Sequence, residues 1–262
     1  MTTVRSADGV PITFQVIGTG EPTVVLVHGW ATGHRLWDGQ VPRLAARRRV
    51  VTLDLAGHGA SGGGRAAWSI AGFGRDVEAV VEAVGAKQVV LVGHSMGGLV
   101  VLEAARRMPN RVNGIVLVDM LLNAEERTPP EQIEGAAKQL EADYRNATTR
   151  MANQYLFSPA TPNAVRDRVL GGAFALSPGD SIAMLRETWA YDPIPALREI
   201  GVPIRGVNAD KFPTDLVVNR RHMPGYDAII IPGSGHYPML EDPARFDPAL
   251  ERAIEGVLEK AG

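Results

Sequence analysis

The hydrophobic pattern of the chain changes period several times, and those changes mark its elements. Val10-Pro11-Ile12-Thr13-Phe14-Gln15-Val16 alternates with period two behind an Asp8-Gly9 turn signal and predicts a strand. Thr23–Val27, Val50–Asp54, Val89–Val92 and Val112–Val118 are near-continuous apolar runs, the pattern of strands covered on both faces. Between them the period shifts towards 3.6. Arg35–Ala46 reads as a helix, and Ile70, Phe73, Val77, Val80, Val81 and Val84 share one helical face between Ser69 and Gly85. Another apolar-periodic helix starts just after Ser95. Val202–Val207 and Tyr226–Ile231 return to the strand pattern, and a closing helix runs from Pro243. Strands alternating with helices predict an α/β fold: a mostly parallel central sheet flanked by helices.

The rhythm breaks once. From Met120 to Arg198 no β-run appears, whereas Ile133, Ala137, Leu140 and Tyr144 share a helical face, as do Ile182, Leu185 and Trp189. Ser158-Pro159, Thr161-Pro162 and Ser177-Pro178-Gly179 punctuate the segment. This predicts a helical cap inserted before the last two strands, lying over the carboxyl ends of the sheet, where open α/β folds bind ligands. Residues 1–119 and 199–262 then form the core domain, and 120–198 the cap (lid) insertion. A length of 262 residues suits that division, and an apolar share of 45% with 21% charged residues is that of an ordinary globule. The net charge of -2 gives no reason to expect nucleic acid or an anionic membrane as partner. Arg47-Arg48-Arg49, the only basic run, reads as a solvated helix end. No stretch approaches the length of a membrane span and no leader pattern opens the chain, so a cytoplasmic location is expected. The absence of cysteine excludes disulfides, thiol nucleophiles and cysteine-ligated metals.

The candidate chemistry begins at Gly93-His94-Ser95-Met96-Gly97, which fits G-x-S-x-G between a buried strand and a helix. A serine on so sharp a turn adopts a strained backbone conformation, and side chains two positions either side would collide; glycine removes the clashing Cβ atoms. The hydroxyl then stands clear of the sheet, with the N–H groups of the following helix aimed at it. A serine hydroxyl needs a base within hydrogen-bond reach. His236 can supply it, because it follows the last strand in a short glycine-flanked loop and completes the order Ser…Asp…His.

Strand–His28-Gly29-Trp30, Asp54-Leu55-Ala56-Gly57-His58-Gly59-Ala60-Ser61, Gly93-His94-Ser95-Met96-Gly97-Gly98, a helical insertion, Asn208-Ala209-Asp210 and Gly235-His236 follow one another along the chain. In this order the sequence resembles the α/β-hydrolase superfamily. Within it, the chain is similar to the cap-bearing, cofactor-free bacterial esterases, lactonases, haloperoxidase-like perhydrolases and carbon–carbon bond hydrolases. The resemblance runs from about residue 10 to the C-terminus. It implies a Ser95–His236–Asp210 triad, with Asp119, at the end of an earlier strand, as the competing acid. It also implies an oxyanion hole from the backbone N–H groups of Met96 and Trp30. Trp30 and Trp189 are candidate walls of a substrate pocket.

The expected activity is two-step hydrolysis of a small ester, thioester or lactone through an acyl-enzyme, with a small acyl substrate as the partner. The alternatives are carbon–carbon bond hydrolysis on the same triad, and a ligand receptor or carrier with little turnover. No cofactor is expected. Gly57-His58-Gly59-Ala60-Ser61-Gly62 matches G-x-G-x-x-G, but no helix opens on it and no acidic strand end follows at the nucleotide-binding spacing. His28 and His94 read as partners of local backbone groups. His34, His58 and His222 show no neighbouring acid or metal-ligand spacing, so no metal site is expected.

Overall fold

The computed structural model describes residues 1–259. Eight strands form one sheet: β1 (Thr2–Arg5), β2 (Pro11–Ile17), β3 (Thr23–Val27), β4 (Val50–Leu53), β5 (Val89–His94), β6 (Val112–Val118), β7 (Ile204–Ala209) and β8 (Asp227–Ile231). Their spatial order is β1-β2-β4-β3-β5-β6-β7-β8. β1 and β2 are antiparallel to their neighbours, and every pair from β4–β3 to β7–β8 is parallel. Helices α1 (Val41–Ala45), α2 (Ile70–Ala83) and α3 (Met96–Arg107) connect the first parallel strands. Five more lie between β6 and β7: α4 (Pro130–Ala142), α5 (Tyr144–Met151), α6 (Asn163–Ala175), α7 (Pro178–Ala190) and α8 (Ile194–Glu199). Then come α9 (Leu216–His222), α10 (Pro238–Glu241) and α11 (Pro243–Leu258).

The unbroken apolar runs are explained by two cores, one on each face of the sheet. Successive side chains of a strand point to opposite faces. Val25, Val27, Val89, Leu91, Ile115 and Leu117 accordingly pack with α2 and α3. Val24, Leu26, Val90, Val92, Val116 and Val118 pack with α1 and α11 on the other face. Burying each such side chain contributes about 1.5–3 kcal/mol, and the buried hydroxyl-bearing residues Thr23 and Thr52 interrupt these runs without breaking the strands. α2 starts where the sequence places it, since Ser69 Oγ accepts the Gly72 N–H at 3.0 Å and caps the helix.

Two local expectations change, and one strand lies outside them. Arg35–Ala46 is not one helix: a 3₁₀ turn over His34–Trp37 and the short α1 replace it, separated by Gly39 and with Pro42 in the first turn. β1 has only one partly buried side chain and pairs only with β2, so it carries no hydrophobic signal. The basic run Arg47–Arg49 ends in ion pairs: Arg48 with Glu255, and Arg49 with Glu21.

The helices between β6 and β7 lie over the carboxyl ends of the strands. Ser181 of α7 meets Trp30 beyond β3, Leu156 meets His236 beyond β8, and Phe157 meets Lys211 beyond β7. β3 connects to β4 on one side, and the chain then crosses back to β5 on the other. The crevice at that reversal, between the ends of β3 and β5, is where such sheets bind ligands. His28-Gly29-Trp30 and Ser95 stand at its two sides. No helix among the described residues is long and apolar enough to cross a membrane.

Candidate active site

Ser95 joins β5 to α3 with φ 53° and ψ -126°, a backbone region that glycine favours. The glycines around it are required by contact. A Cβ on Gly93 would press into the carbonyl of Gly97, and one on Gly97 into the carbonyl of His28. A Cβ on Gly29 would lie 2.9 Å from Ser95 Cβ, so the β3 loop passes directly beside the serine. The N–H groups of Met96 and Trp30 flank this position, and neither has an acceptor among the described residues. Two such donors beside one hydroxyl can receive a developing oxyanion.

His236 is brought to the site by the loop after β8. Its Nδ1 lies 2.5 Å from Asp119 Oδ2, with the two side chains 15% and 9% exposed. The other oxygen, Asp119 Oδ1, accepts the Ala209 N–H at 2.9 Å. Asp119 has φ 47°, a strained conformation held by its position at the end of β6. The carboxylate fixes Nδ1 as the protonated nitrogen and leaves Nε2 for Ser95. No Ser95 Oγ–His236 hydrogen bond is formed among the described residues; contacts of this kind often tighten only once substrate is bound.

The assignment of Asp210 to the imidazole is therefore corrected. Asp210 is exposed, and its Oδ1 accepts the Gly233 N–H at 2.8 Å, tying the β7 loop to the β8 turn. Asp119 reaches His236 because β6 adjoins β5, whereas Asp210 follows β7, one strand further out. The cap of α9 is Asp215, whose Oδ1 accepts the Val218 N–H at 2.9 Å.

Two carboxylates and five histidines act as loop anchors. His28 Nδ1–H donates to Gly29 O at 2.7 Å, and Nε2 accepts from Leu55 N–H at 2.9 Å. His58 Nδ1–H donates to Ala56 O at 3.0 Å, and Nε2 accepts from Ala31 N–H at 3.2 Å. These rings staple the loop after β3 to the loop after β4. His94 bonds the carbonyl of His236 at 2.8 Å through Nε2. Burial, and then the neighbouring His236, hold its pKa well below the ordinary value. His34 and His222 do have acids beside them, which spacing did not reveal: Asp54 at 3.0 Å and Glu125 at 2.8 Å. Burial works to raise the Asp54 pKa, yet N–H donors from Ala60 and His34 hold it below the usual range. Gly59, at φ 53°, lets the Gly57–Gly62 loop close on that carboxylate. The glycine pattern thus serves a loop around Asp54.

Glu241 was not singled out by the sequence. Its carboxylate accepts the N–H groups of Gly235 at 2.8 Å and Tyr237 at 3.1 Å, on either side of His236, and a third bond from Thr161 of the cap. His236 N–H itself donates to Leu156 O at 2.7 Å, in the π-helical turn Ala152–Leu156. The available signal was an acid five residues beyond His236, at the end of the one-turn helix α10. Trp189 is half-buried and packs against the core cluster that includes Trp30. No cluster of three or more metal-ligating side chains occurs among the described residues.

The buried rings give the protein a pH signature. Burial, and next the neighbouring His28, push the His58 pKa down to about 3. An unfolded histidine titrates near 6.5, so the unfolded chain takes up the proton first. The stabilisation is complete above that value and is lost progressively as pH falls from about 6.5 towards 3. Thermal unfolding followed by circular dichroism at constant ionic strength should show Tm falling across this window. His58→Gln should flatten the slope, and an unaltered slope would contradict the assignment.

Residues 24–249 match the Alpha/beta hydrolase family. The chain belongs to that family. Among this alpha/beta hydrolase's relatives, the pimeloyl-[acyl-carrier protein] methyl ester esterase of Sodalis glossinidius is 30% identical, over 92% of this chain and 96% of the relative. A thermophilic esterase from Thermogutta terrifontis superposes with a TM-score of 0.84 at 23% identity, covering 98% of both chains. Est816, described as an N-acyl homoserine lactone degrading enzyme, gives 0.78 at 25% identity, over 96% of this alpha/beta hydrolase and 99% of the other chain.

Proposed function

We propose that this alpha/beta hydrolase cleaves small carboxylic esters, lactones included, through an acyl-enzyme on Ser95. The observation that carries the reading is the 2.5 Å contact between Asp119 and His236 beside a serine held at φ 53°. Asp119 keeps the imidazole in the tautomer whose Nε2 can accept a proton. His236 takes the Ser95 proton as Oγ attacks the acyl carbon, and the carbonyl oxygen turns towards the N–H groups of Met96 and Trp30. His236 then passes the proton to the leaving oxygen. Water, deprotonated by the same imidazole, attacks the acyl carbon; the bond to Ser95 Oγ breaks, His236 returns the proton to that oxygen, and the acid is released. The helical cap acts as a lid that sets which acyl groups reach Ser95. The esterase and lactone-degrading relatives support this substrate class.

Turnover of p-nitrophenyl acetate and butyrate tests the reading, together with mass spectrometry after treatment with a fluorophosphonate. Hydrolysis of both esters and a single adduct on the Ser95 peptide are expected. An inert protein that leaves Ser95 unlabelled would sink the reading and favour a ligand carrier.

A further inference from the structure

A hydrogen-bonded chain, buried at Trp30 and Ser181 and half-buried at Tyr144, joins Trp30 to three of the covering helices. Trp30 Nε1 lies 3.0 Å from Ser181 Oγ and 3.3 Å from Ser181 O. Ser181, on α7, is fully buried. Its Oγ is 2.6 Å from Tyr144 Oη of α5, and that oxygen is 2.9 Å from the carbonyl of Ala173 on α6. Counting protons orders the set. An indole N–H only donates, a carbonyl only accepts, and each hydroxyl has one proton. One arrangement satisfies all three contacts: Trp30 N–H to Ser181 Oγ, Ser181 O–H to Tyr144 Oη, and Tyr144 O–H to Ala173 O. Donors aligned in one direction polarise one another. Burial raises the Tyr144 pKa, which keeps its hydroxyl protonated for the last bond.

The same short loop is gripped on its other sides. Ala31, at φ 58°, donates to His58, and its carbonyl is so close to Gly172 of α6 that a Cβ there would clash. Trp30 is itself only 7% exposed. Its peptide is held at two points: His28 Nδ1 and Thr32 Oγ1 donate to Gly29 O, the carbonyl of the same peptide plane, at 2.7 and 2.9 Å, and the indole is held by Ser181. Oxyanion donors act over a narrow range, about 2.7–3.1 Å from the developing charge. A swing of the Trp30 peptide by a few tenths of an ångström takes the donor out of that range.

We propose that Ser181 is a positioning residue for the oxyanion hole: through Trp30 Nε1 it couples the seating of the cap to the aim of the Trp30 N–H. The proposal rests on the assignment of that N–H as an oxyanion donor. A lid that only shapes the pocket would alter substrate preference. A lid that also aims a donor should alter the rate for every ester alike.

The test is a double-mutant cycle with Trp30→Phe and Ser181→Ala, read on p-nitrophenyl butyrate. Removing an oxyanion donor outright costs about 10²–10³ in kcat, so a misaimed one should cost roughly tenfold. Each single variant should show that loss with KM little changed, and the double variant should lose no more than either single one. Phenylboronic acid, which forms a tetrahedral adduct on the serine, should bind more weakly to Ser181→Ala by a similar factor. Additive losses overturn the shared bond. A Ser181→Ala protein with native kcat and lowered Tm makes the serine a packing residue only. Ser95→Ala, measured alongside, separates the two levels. If it is inactive while Ser181→Ala is unimpaired, the positioning proposal alone falls. If it stays active, the acyl-enzyme reading falls and the proposal with it.

Discussion

Asp119→Asn should lower kcat for a p-nitrophenyl ester by roughly 10⁴, the loss seen for the equivalent change in a serine protease, with the far-UV circular dichroism unchanged. The direction follows from the two bonds of the carboxylate. Oδ1 accepts the Ala209 N–H, and an asparagine keeps that bond by placing its own carbonyl there. The NH₂ group then occupies the position of Oδ2, facing Nδ1 of His236. Two N–H groups cannot share that contact, so the imidazole puts its proton on Nε2. That nitrogen can no longer accept from Ser95. Asp210→Asn is the control: its one recorded partner is the Gly233 N–H, which an amide oxygen also accepts, so its activity should stay within a few-fold of the parent. The reverse pattern in steady-state kinetics would return the acid to Asp210.

Ser95→Ala should remove more, on the order of 10⁶ in kcat by analogy with the loss of a protease nucleophile. Alanine retains the Cβ and therefore the backbone strain at φ 53°, so Tm should be close to that of the parent. Ser95→Gly should be equally inactive yet relieve strain, which costs about 1–3 kcal/mol at such positions. The loss of backbone entropy on ordering glycine offsets part of this gain. Hydrolysis assays on protein purified away from host esterases, with melting curves for both variants, check the two statements together. Near-native turnover by either variant would exclude attack by the serine.

These residues also show where sequence is informative about this molecule. Ser95 and His28-Gly29-Trp30 were legible because their backbone geometry imposes glycine at fixed spacings, and the contacts at Gly29, Gly93 and Gly97 show why. His236 was legible from chain order. The buried strands were legible because two cores demand apolar side chains on both faces. The acid was not, since Asp119 and Asp210 both follow an apolar strand and differ only in which strand adjoins β5. That order is set by packing across the whole sheet. Ser181, Tyr144 and Glu241 were hidden for a related reason. Ser181 bonds Trp30 and Glu241 bonds Thr161 across the boundary between the covering helices and the core, and Tyr144 bonds Ser181 and Ala173 on other covering helices, all far away in sequence; an isolated polar residue on a helix carries no trace of such a partner.

The chain leaves the sheet within a few residues of Asp119. Asp119 N–H still donates to Val207 O of the neighbouring strand, Leu121 has turned to φ 51°, and Leu122 O is held by the N–H of Asp215. Asp119 thus stands at the root of the covering helices, and this locates the seam for recombining them with those of other family members. A chimera joined ahead of Met120 would import a foreign backbone setting for the acid together with the new pocket. One joined after Leu122 keeps Asp119, its strained φ and its bond to Ala209 in the host scaffold. The covering helices can then be exchanged as a module, while Ser95, Asp119 and His236 stay with the sheet that aligns them.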